Sequence, residues 1–155
     1  MLLEELNIRR GDRSDEEWLY QLFKKTMQNY IDAAWGWEEL LQKEGFNTSL
    51  PARDFTVLEL HGRAIACMHL SDKPDHCYLD MILVEPDYQR LGIGSKLIGL
   101  AQNRAEELCK PIVLRVLKTN PAVNFHKALG FVTTTEDEHS FEMKLERAYA
   151  ASELD

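Results

Sequence analysis

The sequence predicts one α/β domain built on a mixed sheet, and three observations carry that expectation. Its 155 residues most simply make a single domain, large enough for a proper core. Stretches of period-two apolar alternation are interleaved with stretches of helical period. The elements follow in the order β-α-α-β-β-β-α-β-α-β-β, which suits a mixed sheet with helices packed on it. No repeat, low-complexity tract or linker divides residues 1–147, and residues 148–155 read as a tail that frays or forms a short helix.

Each element has its own signal. "LNIRR" (6–10) reads as a short first strand, and in "SDEEW" Ser14 can cap a helix while Glu17 reaches back to it. That helix carries Trp18, Leu19, Leu22, Phe23, Met27, Tyr30 and Ile31 at helical spacing. Gly36 breaks it, and a short second helix is expected to stop near Gly45. "FTVLEL" and "AIACMHL", separated by His61, Gly62 and Arg63, predict a hairpin, and the polar turn "SDKPDH" leads into the strand "CYLDMILV". The next helix opens near Gly94 and aligns Leu97, Ala101, Ala105 and Leu108 on one stripe. "PIVLRVL" reads as a strand buried in the sheet. Asn120 and Pro121 resemble an N-cap and first helical residue, with Gly130 as the stop. "FVTTT" and "SFEMKLE" complete the sheet, the second alternating Phe141, Met143 and Leu145 with polar neighbours.

Composition narrows the function classes. With 18 basic against 26 acidic residues the net charge is −8, which argues against sequence-independent nucleic-acid binding and is compatible with a cationic partner such as an amine. Cys67, Cys77 and Cys109 are odd in number and lack C-x-x-C spacing, so neither a disulfide framework nor a zinc site is expected. They read as small buried hydrophobes in a reducing compartment. The N-terminus is acidic where a secretion signal would be basic, and no apolar run approaches the roughly 20 residues of a membrane helix. The expectation is a soluble cytoplasmic protein. His61, His69, His76 and His139 lack metal-ligand spacing and read as structural, so no metal is expected.

The informative stretch is "VEPDYQRLGIGSKLIGL", residues 84–100, at a strand-to-helix junction. A Rossmann site would need a third glycine where Leu97 stands, and the P-loop pattern is absent. What remains is a glycine turn whose backbone can approach a ligand closely. Helix-terminal amides there favour an anion such as a phosphate. The pattern "QRLGIG", with the preceding "VEP" and the later "NPAVNFHKALGF", resembles the acetyl-CoA loop and following helix of the GNAT superfamily of N-acetyltransferases. Residues 78–131 carry the strong resemblance, and residues 1–60 match mainly in layout.

The resemblance implies a GNAT-like sheet splayed between the strand ending near Val84 and the strand 112–117, with the pantetheine arm of acetyl-CoA in the wedge. The arm would bond to backbone near Ile82, Leu83 and Val84. The pyrophosphate would sit on the amides of Gln89, Arg90, Leu91, Gly92, Ile93, Gly94 and Ser95. Asn120 matches a residue that contacts the cofactor in the family, and Asn124 is a weaker candidate. Tyr30, Trp35 and Trp37 fall where the family places its acceptor wall, and the other reading of these aromatics is plain core. Many relatives dimerise, which leaves a homodimer open.

Direct acetyl transfer to an amine needs a neutral nucleophile, donors for the oxyanion and a proton or hydrogen bond for the departing thiolate. In "YLDMILV", strict alternation puts Leu79, Met81 and Leu83 on one face, so Asp80 interrupts the largely apolar face of Tyr78, Ile82 and Val84. An unpartnered carboxylate there would be costly, which leaves a base, a structural ion pair or a solvated position as readings of Asp80. Glu85 reads as a solvated turn residue. His126 stands where the family commonly carries Tyr; it can donate to the CoA sulfur as a cation or from its neutral tautomer, or be an exposed helix residue. The expected acceptor is a small amine or amino-acid-like metabolite ahead of a protein N-terminus or lysine. The alternative is a non-catalytic acyl-CoA-binding module.

Overall fold

A computed structural model describes residues 2–146, and the predicted tail 148–155 lies outside them. The strands are β1 (Leu6–Arg10), β2 (Phe55–Leu60), β3 (Arg63–Asp72), β4 (Cys77–Val84), β5 (Ile112–Leu117), β6 (Val132–Glu136) and β7 (Ser140–Leu145). They form one seven-stranded sheet in the order β1-β2-β3-β4-β5-β7-β6. Every pairing is antiparallel except β4 with β5. The helices are α1 (Glu16–Trp35), α2 (Glu39–Ser49), α3 (Ile93–Glu107) and α4 (Ala122–Ala128). The predicted order of elements holds throughout.

The sheet separates two apolar cores. On one side α3 and α4 bury Ile93, Leu97, Ala101 and Val123 against Leu58, Ala66, Leu79 and Leu114. On the other, α1 and α2 bury Leu19, Leu22, Phe23 and Phe46 against Phe55, Val57, Cys67 and Leu83. Between β2 and β3, His61 and Gly62 both take positive φ, 51° and 81°, the backbone that a two-residue hairpin matched to strand twist requires.

Two local expectations are corrected. The capping box falls on Asp12 and Asp15 rather than Ser14 and Glu17, because a 3₁₀ turn over Arg13–Asp15 precedes α1 and takes Ser14 inside it. Helix α2 runs through Gly45 to Ser49. Phe46 must stay helical to stack on Phe23, with ring centroids 4.7 Å apart, and that packing outweighs the glycine's propensity cost of roughly 1 kcal/mol.

Two irregularities in β4 shape the site. First, Leu79 pairs with Leu70 and Met81 with His69, so Asp80 is an extra, unpaired residue. This bulge breaks the alternation predicted for "YLDMILV". Leu79 joins the α3 core together with Ile82 and Val84, whereas Met81 and Leu83 join the α1 core. Second, β4 and β5 pair only from Cys77–Ile112 to Leu79–Leu114. Beyond Leu79 the two strands part, and the edge of β4 that would face β5 is left without a strand partner.

Candidate active site

The glycine turn is built by three short-range requirements. Arg90 and Gly92 both have positive φ, 63° and 87°, and Gly92 is the residue before α3. Glycine takes this conformation without the cost that a Cβ brings. At Gly94 the constraint is space, since a Cβ would lie 3.1 Å from Cζ of Phe125 on α4. The first helical hydrogen bond runs from the Lys96 amide to the Gly92 carbonyl at 3.0 Å. Among the described residues, therefore, the amides of Arg90 to Ser95 donate to nothing and form a cradle at a helix N-terminus suited to a diphosphate. The Ile93 side chain is core, so only its amide is available. Gln89 donates its side-chain amide to the Val84 carbonyl at 3.0 Å and ties the turn to the end of β4.

Where β4 and β5 part, a cavity of about 290 Å³ opens between the strands, α1 and α4. Asp80 and His126 both line it. Asp80 Oδ2 lies 2.8 Å from Nδ1 of His69 and accepts from Oγ of Ser71 at 2.5 Å. Oδ1 bonds to no described residue. Burial pushes the Asp80 carboxyl up, but the bonds from His69 and Ser71 outweigh it and hold the carboxyl below its usual value. The bulge is what turns Asp80 toward β3; with regular alternation it would share a face with Ile82 and Val84.

His126 is 4% exposed, its Nδ1 has no hydrogen-bond partner, and its ring meets Phe125 and Phe131 edge-on. Burial pushes its pKa down to about 4. The ring is neutral near pH 7 and retains one N–H, so the exposed-residue reading and the cationic-acid reading both fail. Asn120 also lines the cavity, and its Oδ1 caps α4 by accepting from the Ala122 amide at 2.9 Å. Asn124 is exposed on α4 and lies outside the cavity.

Of the three aromatic residues expected in an acceptor wall, Trp35 alone lines this cavity. Tyr30 and Trp37 pack against the α1 core, Trp37 with its ring centroid 5.8 Å from that of Phe23. Glu85 is 7% exposed, not solvated. It accepts from Nε1 of Trp18 at 3.0 Å and from Nζ of Lys25 at 2.7 Å. Of the cysteines Cys67 and Cys77 are buried and Cys109 is exposed, and none is in a disulfide. Sequence reading missed His69 and Ser71 as partners of Asp80; their alternation as polar residues on an otherwise apolar strand was the available signal. Among the described residues no helix is long and apolar enough to cross a membrane, and no cluster of metal-ligating side chains occurs.

A mixed sheet opened between two parallel strands, with a glycine-turn amide cradle between the first of them and the helix that follows, defines an acyl-CoA-dependent acyltransferase. The sequence profile of the acetyltransferase (GNAT) family matches residues 17–131, and the chain belongs to that family. It is thus an acetyl-CoA-dependent acetyltransferase. Solved structures agree in fold. The PaiA N-acetyltransferase of Thermoplasma acidophilum, determined in complex with coenzyme A, is 16% identical, with 91% of this chain and 98% of that one covered at a TM-score of 0.76. The ribosomal-protein-S18-alanine N-acetyltransferase of Escherichia coli is 22% identical over 94% and 96% of the two chains, at 0.71. An N-acetyltransferase from Staphylococcus aureus Mu50 is 13% identical over 90% and 100%, at 0.70. No curated protein matches the chain in sequence.

Proposed function

We propose that the chain transfers the acetyl group of acetyl-CoA directly to the primary amine of a small molecule, with Asp80 receiving the amine and His126 serving the thioester. The observation that supports this most is the convergence of an unbonded Asp80 oxygen and a desolvated neutral imidazole on one cavity, at the point where β4 and β5 part. The pyrophosphate would rest on the amides between Arg90 and Ser95, and the pantetheine arm along the free edge of β4 at Ile82 to Val84.

An alkylammonium has a pKa of roughly 10, far above that of Asp80, so the carboxylate cannot hold its proton at equilibrium. Asp80 instead anchors the ammonium by charge, and the first proton passes to water. Attack of the amine lone pair on the carbonyl carbon makes the nitrogen cationic and acidic, and Asp80 Oδ1 then accepts its proton. Collapse breaks the C–S bond, and the sulfur leaves with the electron pair. The neutral His126 ring donates a hydrogen bond to the developing negative charge and gives up no proton. No acyl-enzyme is needed. Cys67 is buried and its thiol is pushed up by that burial, which removes it as a nucleophile. The free cysteines fit a reducing cytoplasm.

The test incubates the protein with acetyl-CoA and a panel of primary amines and peptides and follows thiol release. Turnover of at least one small amine above the peptides is expected. Measurable CoA binding without thiol release across the panel would favour a non-catalytic acyl-CoA-binding module.

A further inference from the structure

On the same reading of the site, we infer that the acceptor is a primary amine borne beside an apolar group and lacking a carboxylate next to the amine. The inference rests on which side chains line the cavity and which of them have free charge. Helix α1 presents Phe23, Met27, Ile31 and Trp35 to it. They are spaced four apart and form a single ridge along the helix. Phe23 and Ile31 are buried, while Trp35 at the end of α1 is 62% exposed, its ring edge-on to His139 at 5.7 Å. A large aromatic left in water at the end of an apolar ridge that lines a cavity is the arrangement of a binding wall.

The charges are arranged for a cation and against an anion. Among the described residues, Arg115 is the only cationic side chain of fixed charge lining the cavity. It is held by Asp137 at 3.2 Å, by Glu142 at 3.8 Å and by the Ser140 hydroxyl at 2.8 Å. Asn120 accepts from the Ala122 amide through Oδ1 and turns Nδ2 to the Met27 sulfur at 3.7 Å, and Ser140 also bonds Asp137. An acceptor carboxylate in the cavity would therefore meet the Asp80 carboxylate and a single cation, Arg115, that is already paired with Asp137 and Glu142. An ammonium would find the free oxygen of Asp80. Free amino acids, which carry a carboxylate on the amine-bearing carbon, are disfavoured by this balance. An amine on an aryl or branched alkyl chain fits it. A peptide N-terminus with an apolar first residue offers the same chemistry.

The experiment compares matched pairs on the native protein with acetyl-CoA: phenethylamine against phenylalanine, and isoamylamine against leucine. A peptide beginning with phenylalanine separates the two sources of the amine. The carboxylate-free member is expected to have a kcat/KM higher by about tenfold or more. Trp35→Ala should raise KM for phenethylamine several-fold and leave the calorimetric affinity for CoA unchanged. Because turnover tests the catalytic reading as well, binding of each amine to the CoA-bound protein is followed by the change in tryptophan fluorescence that Trp35→Ala abolishes. If nothing turns over, transfer fails, and the order of binding within each pair still decides the acceptor class. Equal or tighter binding of the amino acid, or a polar amine such as ethanolamine matching phenethylamine, would overturn the inference.

Discussion

His69 holds Asp80 by one oxygen and leaves the other free: Nδ1 of the imidazole lies 2.8 Å from Oδ2, and Oδ1 meets no described residue. With the carboxyl ionised, Nδ1 carries the proton and donates. The geometry depends on the bulge, which aims Asp80 across to β3 and lets Ser71 reach the same oxygen. The arrangement fixes the carboxylate's orientation before an acceptor arrives, which is what a site needs to spend little on reorganisation.

Removing both donors should change the charge of Asp80. In His69→Phe with Ser71→Ala the burial that pushes the carboxyl up remains, while the bonds that lower it are gone. Lys73 still acts by charge, and Arg115 and Glu142 face the same region from β5 and β7. The Asp80 midpoint, read from its carboxyl carbon by NMR, should rise above the ordinary value of roughly 3.9. Native Asp80 is depressed, so its stabilisation is complete above the unfolded value and lost as pH falls through the folded one. In the variant the sign reverses, because a carboxyl raised on folding contributes stability that is present below the unfolded value and lost as pH rises through the folded one. The acid limb of kcat/KM moves to higher pH. His69→Asn, which keeps a donor, should restore most of the native behaviour. An unmoved midpoint would dismiss His69 as a positioning residue.

The buried imidazole of His126 has a different signature. Its folded pKa of about 4 lies below its ordinary 6.5, so the folded state resists the proton that the unfolded chain takes up. Stability is fully present above 6.5 and falls as pH drops toward 4, by roughly 3 kcal/mol in all. Urea denaturation at several pH values should show this decline, and His126→Phe should lack it. That variant should also lose on the order of 10²-fold in kcat, as expected for a donor serving developing charge. Its pH–rate profile from pH 6 to 8 should run parallel to that of the native enzyme, both following ionisation of the amine, because a neutral donor does not titrate there. A native profile falling with a midpoint near neutrality would restore the cationic acid.

At the glycine turn the two glycines should fail differently. Gly92→Ala puts a Cβ on a left-handed residue, a strain of roughly 1–2 kcal/mol, although the nearest atom, Leu3 Cδ1, is 3.5 Å away. Gly94→Val brings atoms into the Phe125 ring, and α4 must shift to accept them. Each weakening of 1.4 kcal/mol raises the Kd for CoA about tenfold. We expect Gly92→Ala to lose that much by calorimetry with kcat at saturating acetyl-CoA little changed. Gly94→Val should impair both, since α4 also carries His126. Native affinity in both variants would move the diphosphate elsewhere.

Much of this was legible in the sequence because periodicity reports burial. The order of elements follows from spacing and turn chemistry, while the two glycines and Asp80 stand out through the GNAT resemblance. What escaped is what one-dimensional alternation cannot carry. A bulge inserts one residue into a register that only β3 defines, so the faces of Leu79, Met81 and Leu83 could not be assigned from β4 alone. The stop expected at Gly45 yields to Phe46 packing on a helix far from it in sequence. Tyr30 and Trp37 share Trp35's neighbourhood in the chain but face the α1 core, Tyr30 because it lies off the ridge of Phe23, Met27, Ile31 and Trp35 on α1, and Trp37 because of the path the chain takes after α1.

Glu85 is the sharpest test of that lesson, because its sequence context, one residue before Pro86 in a turn, reads as solvated. In the fold its carboxylate joins Trp18 and Lys25 of α1 to the end of β4, and its amide donates to the Ile65 carbonyl at 2.8 Å. Burial alone would push the carboxyl up, but the bonds from Lys25 and Trp18 prevail and hold it down. Glu85→Ala leaves the Trp18 indole N–H without its partner, a loss of about 1–3 kcal/mol, while Lys25, half in water, recovers most of its own hydration. Glu85→Gln keeps an acceptor and should lose less. Because the native carboxyl is depressed, the stability gap between the native chain and Glu85→Gln in urea denaturation should be full above the ordinary glutamate value of roughly 4.3 and vanish as pH falls through the folded one. Loosening this tie also frees the start of the amide cradle, so Glu85→Ala should weaken CoA binding without touching any group that contacts the thioester. Stability within about 0.5 kcal/mol of native would mean that the turn is solvated after all and that α1 is held to β4 by apolar packing alone.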